Sequence, residues 1–492
     1  MSNIFKTKRL GLVDNILWGI SGEVFVRLIK FFQLIIIAQF LGASGLGIYN
    51  YGLAIVASLS IFFDFGILIV ATKNNSKNRS PADLTPYFLL KICTSILGLL
   101  VFYFVYEAGF LIKDPEGILF LVVISMLILD FANLIFAKYR AEHNFHREAK
   151  FRAFVVLLQF TGSLILLALG ANLKQLVYCF IAINSICLYP ILHLLWNSHE
   201  TINFSIFCQK IKNIFKQCIP LAGLSLFGAL YTSTDVLFLG FYYDAITVAV
   251  YTVAIKFILG IIITPVTFIQ NAQIPNLAEL TGEAGLRSME TIKSWSKAFF
   301  NTLYLGILIC LFFAIFSEFI ISITFGEEFN SSAKHLSALT VVGLLYYIYT
   351  PFMTLLIVGD NTRYAFCIQF ICSITNIVML FLLVPSYGIA GAVIAAISTH
   401  ALIAVLILPC TMMLHKQLLS RNELALIIIS FLCYALIIGL IYSAQFFAQG
   451  HEFIFKLSLG TLLIIIFRRQ FISLSIELIV FFKNRIAKSS DS

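Results

Sequence analysis

The run 13–38 is long and apolar enough to cross a bilayer, yet it carries Glu23, Arg27 and Lys30. Spacings of four and three residues put the three groups on one helical face. A charge at membrane depth costs about 2.5–3.5 kcal/mol on insertion scales, so this face must meet protein or water rather than lipid. Other apolar runs hold Asp64, Asp235 and Lys256. Fixed cations of this kind can hold an anion, and arginine offers bidentate forks to phosphate oxygens. The carboxylates Glu23, Asp64 and Asp235 can balance those cations, or take up a proton or Na⁺. Each group also has a plain structural reading. Glu23 and Arg27 are spaced to neutralise each other, whereas Lys30 has no carboxylate at i−4 and reads as cavity-lining. Asp235 and Lys256 read equally as a structural ion pair between consecutive spans. Lys91 and Lys456 lie near span ends, where their heads can snorkel to the surface, and Asp130 is also near an end. His400, mid-span, is a packing histidine or a proton site.

The elements that must position these groups are membrane helices. Of 492 residues, 60% are hydrophobic and 12% charged, against about 45–50% and about 25% in soluble domains. The chain is therefore an all-α integral membrane protein. Lys6, Lys8 and Arg9 lead straight into a full-length span with no small-residue cleavage site, so no removable signal peptide is expected. The ten cysteines form no CxxC pair or Cys/His cluster and read as small buried hydrophobes, not as a disulfide or metal framework. No cofactor is expected beyond a coupling H⁺ or Na⁺.

Apolar runs of about 20 residues predict fourteen spans: 13–38, 46–72, 87–110, 117–137, 153–171, 175–195, 219–241, 247–270, 298–323, 335–357, 364–384, 389–414, 423–444 and 453–467. Twelve is the alternative count, and 471–482 is a candidate interfacial helix. The organisation that follows is an N-terminal six-helix lobe over 1–197, a linker over 198–218, a second six-helix lobe over 219–414, and two additional helices with a tail over 415–492. Alternate loops concentrate Lys and Arg, as in Lys138, Arg140, Arg147, Lys150 and Arg152, while the intervening loops hold only Lys113, Lys174 and Lys334. The positive-inside rule then puts both termini in the cytoplasm. The net charge of +9 follows the inner leaflet, which excludes a nucleic-acid partner. Every opposite-side loop is short, so a membrane glycan polymerase or ligase, with catalytic acids on a sizeable external loop, is disfavoured. Phe40–Gly42 and Phe238–Gly240 are both FLG, with a tyrosine and a similar apolar run after each. Leu158–Phe160 and Ile368–Phe370 repeat at a similar offset, as an internal duplication would.

Several motifs carry a family resemblance. FLGASGLGIYNYG at Phe40–Gly52 and FFDFG at Phe62–Gly66 come first, followed by IPLAGLSLFGALYTSTDVLFLG at Ile219–Gly240 and VAVYTVAIK at Val248–Lys256. FGEEFNSSAKHLSAL at Phe325–Leu339 and NIVMLFLLVPSYGIAGAVIA at Asn376–Ala395 complete the series. In this order they resemble the Wzx-type polysaccharide-biosynthesis (O-antigen) flippases of the multidrug/oligosaccharidyl-lipid/polysaccharide (MOP) exporter superfamily. The resemblance implies two six-helix lobes around a central cavity used in alternating access. It implies a bacterial inner-membrane protein, not an enzyme, that moves undecaprenyl-pyrophosphate-linked oligosaccharide from the cytoplasmic to the periplasmic leaflet. Polysaccharide polymerase and glycosyltransferases would be its partners, for O-antigen, lipopolysaccharide or capsule synthesis. A multidrug or lipid II exporter of the same superfamily is the alternative. With a sugar substrate, the cluster Tyr346, Tyr347 and Tyr349 beside Pro351 is a stacking candidate. Arg27, Lys30, Lys256, Tyr346 and Tyr349 are then the expected substrate-cavity residues.

Overall fold

A computed structural model describes residues 12–77, 84–112, 114, 116–142, 144–196, 204–267, 269–270, 289–359, 361–414 and 421–444. All of its regular elements are helical. Ten of the helical stretches are long and apolar enough to cross a membrane. The chain divides into two compact units, Met1–Thr252 and Val253–Ser492. The expected span 453–467, the interfacial helix 471–482 and Lys456 lie outside the described residues.

In the first unit, α1 (Leu12–Phe63) contains the first two expected spans, divided by a kink at Gly42, where φ is 65° and ψ is −173°. A left-handed φ costs an L-residue with a side chain roughly 1–2 kcal/mol, and glycine escapes it. After α1 come α2 (Ile67–Lys77), α3 (Thr85–Glu107), α4 (Ile118–Asn133) and α5 (Ile135–Ala141). They are followed by α6 (Phe145–Ala168), α7 (Leu173–Cys187), α8 (Tyr189–Trp196) and α9 (Phe204–Tyr242). The core is α1 packed on α6, α9 and α4, with α4 also against α7. At Gly47 an added Cβ would stand 1.8 Å from the carbonyl oxygen of Ala245, so the motif's third glycine is a point of backbone-to-backbone contact. Gly240, in the repeated FLG, lies against the Tyr51 ring in the same way. The two echoed motifs therefore pack near each other.

The sequence predicts an unbroken span over 46–72, but α1 stops at Phe63 and α2 begins at Ile67. Between them Phe65 and Gly66 take φ values of 48° and 72°. The Asp64 carbonyl accepts the Ile67 N–H at 2.7 Å, and its Oδ1 accepts that of Leu68 at 3.4 Å, so Asp64 caps α2. Apolar composition does not register this break, because FDFG is apolar on average.

The second unit begins within α10 (Ala245–Phe257), which runs into a π-helical turn at Ile258–Ile262. Asp244 caps α10, accepting the Thr247 N–H at 2.9 Å and its hydroxyl at 2.7 Å. Next come α11 (Met289–Ile315), α12 (Ser317–Phe325), α13 (Asn330–Val358), α14 (Thr362–Tyr387), α15 (Ile389–Leu414) and α16 (Arg421–Ala444). The largely buried α13 is the axis, packed against α11, α15 and α16. Pro351 lies inside it, and its carbonyl accepts the Trp295 indole N–H at 3.4 Å. The α16 helix, over the expected span 423–444, joins this unit through Tyr434 Oη to Thr340 Oγ1 at 2.7 Å and Ser296 Oγ to Glu423 at 2.9 Å.

Candidate functional site

Glu23 and Arg27, one turn apart on α1, form an ion pair at 3.2 Å. The same glutamate accepts from Arg152 of α6, also at 3.2 Å. Arg152 in turn binds Glu148, one turn before it on α6, at 2.8 Å. Arg140 of α5 closes the network with two N–H bonds to Glu148, at 2.8 and 2.7 Å. A close approach makes this possible: a Cβ on Gly22 would lie 2.8 Å from that of Ala149, which brings the charged turns of α1 and α6 together. Lys30 is exposed and within electrostatic range of Glu23 and Arg152. The cluster therefore carries four cations and two carboxylates. Side-chain exposures of 38% for Arg27, 33% for Arg152 and 45% for Glu23 leave the cluster partly accessible, although Arg152 Nε is buried with no hydrogen-bond partner among the described residues and its guanidinium lies 4.9 Å from the Phe136 ring centroid. An oxyanion with several acceptor oxygens fits such a site.

Arg152 and Glu148 were not among the expected site residues, because the sequence reading starts that span at 153 and assigns Arg152 to a cytoplasmic loop. The helix in fact starts at Phe145. A signal was present: Glu-x-x-x-Arg occurs at 23–27 and again at 148–152.

Deeper in the unit three amide side chains bond across helices. Gln33 donates to Ser163 Oγ at 2.9 Å, Gln159 to Asn184 Oδ1 at 2.8 Å, and Asn184 to the Ser125 carbonyl at 2.8 Å. This ladder ties α1, α6, α7 and α4 together, which is the ordinary work of amides in membrane helices.

Asp64 belongs to a different constellation. Lys91 of α3, with 1% exposure, lies 2.7 Å from Asp130 of α4 and 3.6 Å from Asp64, and sits 5.8 Å from the Phe131 ring centroid. The expectation that Lys91 snorkels is overturned: its ammonium is buried and held by two carboxylates. Asp64 balances this lysine, so in this structure it is not paired with Arg27.

Asp235 of α9 accepts the Val236 N–H at 2.9 Å and a very short hydrogen bond from the Tyr251 hydroxyl. Lys256 is half-buried on α10, four residues beyond the boundary of the first unit. In the second unit Tyr349 Oη and His400 Nδ1 share a hydrogen bond of 3.1 Å. Tyr346 lies over the same imidazole, with centroids 4.8 Å apart, and remains half-buried. Tyr347 is buried and donates to the Ile262 carbonyl at 2.8 Å. Tyr349 and His400 pack together, and the half-buried Tyr346 ring packs against both. Asn376 of α14 accepts from Thr399 of α15 at 3.1 Å, a helix-to-helix bond. No group of three or more His, Cys, Asp or Glu residues suited to a metal occurs among the described residues.

The profile of the family described as "Polysaccharide biosynthesis protein" matches residues 12–281, more than half of the chain. This chain belongs to that family. The chain is also similar to a protein of Staphylococcus aureus, the capsular polysaccharide biosynthesis protein CapF. The two are 23% identical over 390 residues, covering 77% of this chain and 94% of that protein. Among solved structures, the lipid II flippase MurJ in an inward closed conformation superposes with a TM-score of 0.70 at 16% identity, over 94% of this chain and all of that one. An inward-facing multidrug-resistance MATE transporter of the MOP superfamily gives 0.62 at 13% identity, over 80% and 96%. The family member described here is thus a multi-pass membrane protein with the fold of MOP transporters. Its Phe40–Gly52 and Phe62–Gly66 motifs form the α1 turn and the α1–α2 break.

Proposed function

We propose that this protein flips a lipid-linked oligosaccharide, carried on undecaprenyl pyrophosphate, from the cytoplasmic to the periplasmic leaflet of a bacterial inner membrane by alternating access. It performs no covalent chemistry. The observation that carries this reading is the partly exposed cationic cluster Arg27, Lys30 and Arg152. A pyrophosphate presents paired oxygens that match guanidinium forks, and a polysaccharide family supplies the rest of the ligand. Both termini are cytoplasmic, in keeping with the loop distribution of Lys and Arg. Tyr346 and Tyr349 are the rings assigned to a sugar, ordered by their packing on His400, and Lys256 supplies a further cation. Asp64 and Asp235 are the candidate groups for H⁺ or Na⁺ coupling. Glycosyltransferases would supply the substrate and a polymerase would consume it.

The test is complementation of a flippase-null strain. Arg27→Ala and Lys30→Ala lose polymer export, while Lys456→Ala keeps it. Wild-type export by both of the first two would remove the cluster from the mechanism. The extent of the superposition on MurJ favours lipid II as the second substrate reading. Rescue of a strain depleted of its lipid II flippase, without rescue of polysaccharide export, would select it.

A further inference from the structure

We propose that Glu23 is a built-in competitor for the anion site: its carboxylate occupies the guanidinium edges of Arg27 and Arg152 until a pyrophosphate displaces it. This rests on the reading of the cluster as the substrate's anion site. The two carboxylates of the cluster are not equivalent. Glu148 is 9% exposed and takes two short hydrogen bonds from Arg140, at 2.8 and 2.7 Å, with an ion-pair contact to Arg152 at 2.8 Å. Glu23 is 45% exposed and takes one bond from each of Arg27 and Arg152, both at 3.2 Å. Charge-assisted N–H···O bonds are strongest near 2.7–2.9 Å, and exposed ion pairs contribute little. Glu148 is therefore the fixed anchor and Glu23 the exchangeable anion.

The geometry also allows the exchange. Arg152 remains held by the ion-pair contact of its Nη2 with Glu148 when Glu23 leaves, so one guanidinium stays in place. A pyrophosphate bears more charge and more oxygens than a carboxylate and can satisfy both guanidiniums together. When the anion departs, Glu23 returns and the cations are again paired. Two bare guanidiniums would hold a pyrophosphate more tightly than a carrier that must release it can use.

Calorimetric titration of the purified full-length protein with inorganic pyrophosphate tests this. Wild type should bind weakly and Glu23→Gln about tenfold more tightly, a gain of about 1.4 kcal/mol. Glu23→Asp keeps the charge but is a methylene too short to span both arginines, so it should also bind more tightly than wild type. Glu148→Gln should bind more weakly, because it unseats Arg152. Equal or weaker binding by Glu23→Gln overturns the competitor role while leaving the anion site standing. So does Glu23→Asp behaving as wild type, since a gain confined to Glu23→Gln is a bulk charge effect. A gain in Glu148→Gln equal to that in Glu23→Gln also overturns it. Absence of binding by wild type, Glu23→Gln and Glu23→Asp alike would instead remove the anion site itself, and the competitor with it.

Discussion

A lysine ammonium with 1% exposure must be neutralised where it lies, and Lys91 has two carboxylates within 3.6 Å to do so. Removing one partner of a buried ion pair typically costs about 3–5 kcal/mol, because the other charge stays buried without compensation. Lys91→Met should therefore lower the thermal unfolding midpoint of the detergent-solubilised protein sharply. The triple change with Asp64→Asn and Asp130→Asn should recover most of the loss. A mild effect of Lys91→Met alone would mean that water reaches the triad. Sequence reading could not reach this residue's role: a cation a few residues inside a span looks the same whether it snorkels or is paired across helices. Arg27 was more legible, since both its partner at i−4 and its apolar surroundings are local. Its second-hand tie to Arg152 through Glu23 was not, because it depends on α1 and α6 meeting at Gly22 and Ala149.

At the scale of elements, turns and breaks fix where the charged helical turns stand. Gly47 has no room for a side chain, with the Ala245 carbonyl oxygen 1.8 Å from its would-be Cβ. Gly47→Ala should cost at least the roughly 1–3 kcal/mol of an overpacked site, read as reduced thermal stability. Asp244 caps α10 outside the spans, and Asp244→Ala should cost about 1 kcal/mol. The Thr247 hydroxyl, then its backbone N–H, hold the Asp244 carboxyl below its usual range. With a folded value below the unfolded one, this stabilisation is present above the ordinary carboxylate range and is lost as pH falls through the folded value. In a pH series of melting points, wild type and Asp244→Ala should therefore converge only on the acid side. The gap persisting unchanged into strong acid would assign the cap to Thr247 alone. The glycine turn at 42–47 was visible in the sequence as Gly42, Gly45 and Gly47. The break at Asp64–Gly66 was not, since hydropathy averages over a left-handed phenylalanine.

For the whole molecule, the loop charges make a topological prediction. Single cysteines introduced at Lys174 or Lys334, in a background without native cysteines, should react with an impermeant maleimide added to intact spheroplasts. One at Lys73 should react only after permeabilisation. Reaction of Lys73→Cys from outside would invert the proposed orientation. The charge asymmetry rests on counting and needs no coordinates. The grouping of helices into Met1–Thr252 and Val253–Ser492 differs from a boundary drawn at the basic segment 198–218. Apolar runs mark where spans begin, whereas packing puts α9 on α1 of the first unit.

Composition, loop charge and motif order sufficed for an all-helical, multi-pass membrane protein of a polysaccharide family, because bilayer thickness and backbone hydrogen bonding leave a long apolar run few alternatives. The sequence also singled out Glu23, Arg27 and Lys30, since charges three and four residues apart in an apolar run share a face on any helix. What those charges meet was decided by tertiary structure alone. Helices distant in sequence bring Arg152 to Glu23 and Asp130 to Lys91, and a side chain's neighbour across a helix interface leaves no periodic trace in its own segment.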